Sequence, residues 1–223
     1  GQEIINTRDK KVYARYVNRD YGNTKGVVFS LIRQFQDNFG FTVDYTYQVA
    51  RGNASDPNSV FVNNQTKPPI EPEKQVLPLD WDQRHSLNGT VILGDPKDWT
   101  LSFIGRFHTG QPYTPSNPGS ALSRQFQNSE RLPAVFNVDL NFAKNIRLGG
   151  QSVRLFAKAY NLLDRLNPRT VYSSTGTPFH PYRTLGETEV LLRNPNFTVD
   201  EIDRRPDFFE APRRIVAGLS FEF

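Results

Sequence analysis

Several groups of side chains in this sequence have the residue types that chemistry requires. His85, His108 and His180 could ligate a metal, and Ser173-Ser174-Thr175-Gly176 offers hydroxyls for nucleophilic attack. Asp80, Asp82, Arg84 and His85 gather around Trp81 like an acid–base group, and Asp200, Glu201, Asp203, Asp207 and Glu210 could form an oxygen-rich cation loop. None has the spacing its chemistry needs. The histidines lie on separate segments, whereas a structural zinc site takes paired ligands from a few residues of chain. The hydroxyls have no matched His and Asp partners. The acidic residues lack the regular spacing of a calcium loop. They alternate with Arg204, Arg205, Arg213 and Arg214, which suggests a solvated, self-neutralising loop. No catalytic residue, cofactor or metal site is expected, and the chain does not read as an enzyme.

A different set of charges recurs with period two: Arg15, Asp44, Arg106, Asp139, Arg154, Lys158 and Glu222 each alternate with apolar neighbours. Side chains two apart share one face of a strand, so these residues mark the polar faces of strands, which in a barrel would be the expected lumen-facing wall. Alternation predicts eight strands, at residues 10–18, 25–35, 40–50, 84–94, 99–109, 134–148, 151–163 and 213–223. The third is the cleanest, with Phe41, Val43, Tyr45, Tyr47 and Val49 against Thr42, Asp44, Thr46 and Gln48. The last sets Ile215, Ala217, Leu219, Phe221 and Phe223 on one side. Soluble strands average about 5–6 residues, whereas a tilted strand crossing a bilayer needs about 9–11. Most of these segments have the longer length.

Composition allows this. The chain has 223 residues, 37% of them hydrophobic, and a mean hydropathy of -0.58. Those values look too polar for a membrane protein, and no run of 18 or more apolar residues offers a transmembrane helix, but a barrel needs only alternate residues to be apolar. Aromatics reach 13%, which suits interfacial girdles and equally suits a sandwich. Cysteine is absent, which excludes a disulfide framework and a thiol nucleophile. The net charge of +4 is interspersed rather than clustered, so no nucleic-acid partner is expected. Methionine is absent even at position 1 and no signal peptide is evident, so the expectation is a processed chain or part of a longer one.

The connections alternate in length. Residues 36–39, 94–98 and 149–150 are short, while 51–83, 110–133 and 164–212 are long and rich in Pro, Asn, Ser and charge. Outer-membrane barrels have short periplasmic turns and longer extracellular loops. The fold class expected is therefore all-β, an antiparallel transmembrane β-barrel with a periplasmic C-terminus. Pro68, Pro69, Pro72 and Pro78 argue against strands within residues 66–79. Trp81, Trp99 and Tyr113 are the expected interface anchors, with the charges around Trp81 hydrated just above the bilayer.

Phrases spread along the chain resemble the C-terminal part of TonB-dependent outer-membrane receptors. They include Tyr21-Gly22 leading to Gly26-Val27-Val28-Phe29, the segment Leu79-Asp80-Trp81-Asp82-Gln83-Arg84-His85-Ser86-Leu87-Asn88, and Gly110-Gln111-Pro112-Tyr113-Thr114-Pro115. They continue with Tyr160-Asn161-Leu162-Leu163-Asp164, Val171-Tyr172-Ser173-Ser174-Thr175-Gly176 and the terminal Phe223. The resemblance implies a barrel of about 22 strands, with an N-terminal plug and a TonB contact segment that this chain lacks. It implies uptake of a siderophore, cobalamin, glycan, peptide or similar nutrient. The implied partners are membrane lipid, lipopolysaccharide, the TonB system through the plug, and a surface lipoprotein over the loops. Leu219, Phe221 and Phe223 look like the signal read by the barrel-assembly machinery. The alternative is a small closed eight-stranded barrel with a structural or adhesive role, which predicts pairing of the first strand with the eighth.

Overall fold

The computed structural model describes residues 2–6, 8–9, 11–18, 20–53, 75–116, 127–148, 151–193, 196 and 198–222. Among the described residues the chain is mostly antiparallel β-sheet, with two short α-helices and a 3-10 turn in one loop. The strands are β1 (Gln2–Asn6), β2 (Val12–Tyr16), β3 (Gly22–Gln36), β4 (Phe39–Gly52), β5 (Leu77–Pro78) and β6 (His85–Leu93). They continue with β7 (Trp99–His108), β8 (Pro112–Tyr113), β9 (Glu130–Arg131), β10 (Val135–Leu148), β11 (Gln151–Tyr160) and β12 (Arg214–Glu222).

The main sheet is a meander in the order β3-β4-β6-β7-β10-β11-β12, with β5 beside the end of β4. Every pairing is antiparallel. Its long connections therefore all emerge at one end, and its short turns at the other. The β3–β4 turn puts Asp37 and Asn38 at φ 54° and 64°, the two positive values of a type I′ hairpin turn. At the β6–β7 turn Gly94 has φ +110°, and a Cβ there would strike the Trp99 ring. The third short connection, residues 149–150, lies outside the described residues.

Register carries the alternation of each strand across the whole sheet. Leu31 is opposite Val43, Phe41 opposite Val91, Val91 opposite Phe103, Phe103 opposite Leu140, Leu140 opposite Ala159, and Ala159 opposite Ile215. The apolar sets therefore form one continuous face over seven strands. On the reverse face Ser30 is opposite Asp44, Asp44 opposite Asn88, Asn88 opposite Arg106, and Arg106 opposite Asn137.

Only Ala50, Leu79, Val135, Val153, Ala159 and Val171 are buried hydrophobic residues among those described. Val27, Phe29, Leu31, Leu87, Phe142, Ile215, Leu219 and Phe221 of the apolar face are exposed. Most of the remaining face is half-buried, sheltered only by its in-sheet neighbours. No second layer covers it among the described residues.

Three expectations need correction. The strand expected at residues 10–18 is only Val12–Tyr16, and it pairs with β1 in a separate two-stranded sheet. β1 is five residues long, too short for alternation to mark it. The pairing of the first expected strand with the last does not occur among the described residues, where β12 pairs only with β11 and the main sheet is open at β3 and β12. Pro78 does enter a strand, the two-residue β5. It is tolerated because β5 is a minimal strand at the end of the β4 ladder.

Candidate functional site

The long connections fold together at one end of the sheet, and buried polar side chains tie them down. Asp82 is fully buried. Its Oδ1 accepts from the Ala50 backbone N–H at 2.7 Å, and its Oδ2 accepts from Arg84 Nε at 2.9 Å and Arg131 Nη2 at 2.5 Å. Arg131 Nη1 also donates to the carbonyls of Asp82 and Gly110. One carboxylate thus joins the end of β4, the residue 79–84 bend, β9 and the start of the second long connection. Burial alone would raise the Asp82 carboxyl, but the Ala50 N–H and the two guanidinium groups outweigh it and hold it below the ordinary 3.8. This corrects the expectation of hydration for Asp82 alone among the charges around Trp81, since Asp80 is exposed and Arg84 and His85 are half-buried. A bend packed against β4 leaves no water for Asp82, and neutral burial would strand two cations.

Asn128 donates through Nδ2 to the Pro78 carbonyl and to Asp80 Oδ1, tying the second connection to the first. Ser116 meets Ser173 both through the backbone, at 3.0 Å, and through their hydroxyls, at 2.8 Å, tying the second to the third. Tyr113 lies half-buried in β8, where a methyl group at Gly176 would meet its hydroxyl. Burial and the nearby Glu130 carboxylate raise that phenol above its usual 10.0.

The third connection is clamped at its root. Asp139 is buried on the polar face of β10 and accepts from the Asn161 backbone N–H at 2.9 Å and from Asn137 Nδ2 at 2.9 Å. Asn161, at φ 49°, accepts from the Arg165 N–H and donates to the carbonyls of Arg165 and Ala211. Asn167, fully buried, pairs both amide atoms with the backbone of Phe136, at 3.2 and 2.9 Å.

Further out lie α1 (Leu185–Leu192) and α2 (Val199–Asp203), both opened by capping boxes, Thr184 with Glu187 and Thr198 with Glu201. The boxes hold both glutamates below their ordinary range, chiefly through bonds from the capping threonine. Asp203 is buried and takes a two-pronged contact from Arg183, which keeps that guanidinium firmly charged. Asp203 is therefore not the solvated residue expected, because the turn of α2 folds it inward onto a cation twenty residues away.

The remaining expected residues are spread over the sheet. Asp44, Arg106, Asp139, Arg154 and Lys158 share the polar face, where Ser30 donates to Asp44 at 2.6 Å and Arg106 reaches Asp139 at 3.5 Å. The backbone of Glu222 continues this face opposite Ser152. Arg15 pairs with Glu3 in the β1–β2 sheet, at 2.8 Å. Trp81 and Trp99 are exposed at opposite ends of the sheet. Leu219 and Phe221 are exposed on the apolar face of β12, and Phe223 lies outside the described residues. His85 Nδ1 and the Tyr45 hydroxyl are hydrogen-bonded at 2.8 Å on the apolar side, and His108 and His180 stand elsewhere. No group of potential metal ligands is found among the described residues.

The polar anchors Asn128, Arg131, Asn161, Asn167 and Arg183 carry no mark in the sequence, because their partners are distant in it. The two capping boxes do carry one, since Thr-x-x-Glu is a helix-start signature. These side chains tie the described parts of the long connections to one another and to the sheet. No protein-family model, curated protein or solved structure matches this chain.

Proposed function

We propose that this chain forms part of the wall and outer loops of a transmembrane β-barrel in a Gram-negative outer membrane. In this reading it is the C-terminal portion of a TonB-dependent receptor that imports a nutrient through a barrel of about 22 strands. The observation that carries the proposal is the unbroken apolar face across β3, β4, β6, β7, β10, β11 and β12, without a covering layer among the described residues. Exposed apolar area of that extent in water invites association, whereas lipid is its natural cover.

Three further features support the reading. A ten-residue strand such as β7 or β11 is about 30 Å long, and a tilt of about 40° reduces this to roughly 23 Å, near the ~25 Å apolar band of such barrels. Trp81 and Trp99 stand at the two ends, as interfacial anchors do. The open edges of β3 and β12 need partner strands in lipid, where unpaired backbone groups are too costly. In the larger barrel, neighbouring strands supply those partners. The plug supplies the moving part driven through TonB, and the clamped loops capture the ligand on a rigid base.

The test is the denatured mass of the outer-membrane polypeptide that carries this sequence, with co-purification of TonB. A mass several times 25.5 kDa with TonB bound is expected. A mass near 25.5 kDa with no TonB contact would overturn the receptor reading and leave the small barrel.

A further inference from the structure

The third connection contains a cleft of about 590 Å³, within the ~300–1,000 Å³ usual for small-ligand sites. Its floor is apolar and aromatic. Phe179 is exposed and meets Phe209 with ring centroids 5.7 Å apart. The adjacent Phe208 is already covered, by Tyr172 at 4.8 Å and by the Arg205 guanidinium at 4.9 Å. The Phe179–Phe209 pair is thus the aromatic surface that the cleft still offers.

Its rim is charged. Arg205 is engaged by Asp207 at 2.8 Å, and Asp203 by Arg183. Arg204, Asp200 and Glu210 also line the cleft, and none of them forms an ion pair among the described residues. Among the described residues the rim therefore presents Arg204 and two carboxylates, Asp200 and Glu210, without an ion-pair partner around an aromatic floor. A purely anionic ligand would meet the carboxylates, and a purely cationic one would meet Arg204. A zwitterion with an aromatic side chain satisfies all three.

We propose that this cleft binds a short peptide bearing an aromatic side chain. The ring stacks on Phe179, the peptide carboxylate meets Arg204, and its ammonium group lies between Asp200 and Glu210. The ligand class rests on the receptor reading for its biological meaning, since the cleft lies within the connection assigned to capture. Binding itself does not depend on that reading.

The experiment is titration calorimetry of the intact protein in detergent with phenylalanyl-phenylalanine, glycyl-glycine, and the aromatic dipeptide blocked at both ends. The free aromatic dipeptide should bind, with the other two at least about tenfold weaker. Phe179→Ala and Arg204→Gln should each weaken binding by about tenfold or more. Both residues are exposed, so the fold should survive, and a circular dichroism spectrum checks it. Equal binding of all three peptides, no binding of the aromatic one at millimolar concentration, or no effect of either substitution would overturn the proposal. Flotation of the same preparation with lipid vesicles tests the receptor reading separately. A protein that floats without binding loses only the cleft, and one that binds without floating loses only the membrane.

Discussion

The Asp82 carboxylate and the Arg131 guanidinium meet at 2.5 Å across forty-nine residues of sequence. Both are bound again on their far sides, Asp82 to the Ala50 N–H and Arg131 to the Gly110 carbonyl. A single ion pair therefore sets how two long connections stand on the sheet. Asp82→Ala removes the carboxylate that accepts from the Ala50 N–H, Arg84 and Arg131, and leaves Arg131 only the Asp82 and Gly110 carbonyls. The expected cost is about 2–4 kcal/mol, since a buried pair is broken on one side while the guanidinium groups keep partial access to water. Denaturant unfolding measures it. Limited proteolysis should show faster cutting within residues 75–84 and 127–132.

The same carboxylate gives the loops a pH dependence. Its pKa in the folded protein lies below the ordinary 3.8. A lowered carboxylate pKa contributes stability that is fully present above the unfolded value and is lost as pH falls through the folded one. Protease resistance of the two loop bases should hold from neutral pH to about pH 4 and weaken below it. Asp82→Asn should be weaker throughout and flatter across that acid range. An Asp82→Asn profile with the same acid slope as the native protein would assign the transition to other carboxylates.

Asn167 makes a paired contact with the Phe136 backbone at the top of β10, in a position closed to water. Asn167→Ala removes both bonds and leaves a buried N–H and carbonyl unpaired, at a cost of about 2–4 kcal/mol. Hydrogen exchange at the Phe136 amide should accelerate strongly, while exchange at the β3–β4 hairpin stays unchanged. Equal acceleration everywhere would mean a global rather than a local anchor.

Charge on the two sheet faces should have opposite consequences. Leu140→Arg places a cation in the middle of the apolar face and should cost about 2–4 kcal/mol in a membrane-inserted sheet. Asn141→Arg, one residue along on the polar face beside Lys158, should cost less than about 1 kcal/mol. Folding yield into lipid vesicles compares the two.

The sheet was legible because period two is a local signal. Phe41, Val43, Tyr45 and Tyr47 announce a strand without reference to any partner, and register then aligns such sets across seven strands. The loop platform was hidden because its bonds join residues 49, 50 or 57 positions apart, as in Asp82–Arg131, Asn128–Pro78 and Ser116–Ser173. Asp82 in particular has charged and aromatic sequence neighbours, which suggest solvent, while its burial comes from β4 and β9. The helices Leu185–Leu192 and Val199–Asp203 bury little apolar surface and show no helical stripe, so only their capping boxes could have revealed them.

The central claim is that lipid covers the apolar face, and the absence of cysteine from the chain makes it directly measurable. Single spin labels introduced by Val138→Cys, Leu140→Cys, Phe142→Cys, Asn137→Cys, Asn141→Cys and Ala143→Cys sample both faces of β10. Collision rates with oxygen, which concentrates in lipid, and with a water-soluble nickel chelate should alternate with period two in the intact protein in vesicles. Labels at 138, 140 and 142 should favour oxygen, and those at 137, 141 and 143 should be shielded from lipid. Uniform exposure to the nickel chelate at 138, 140 and 142 would contradict the account.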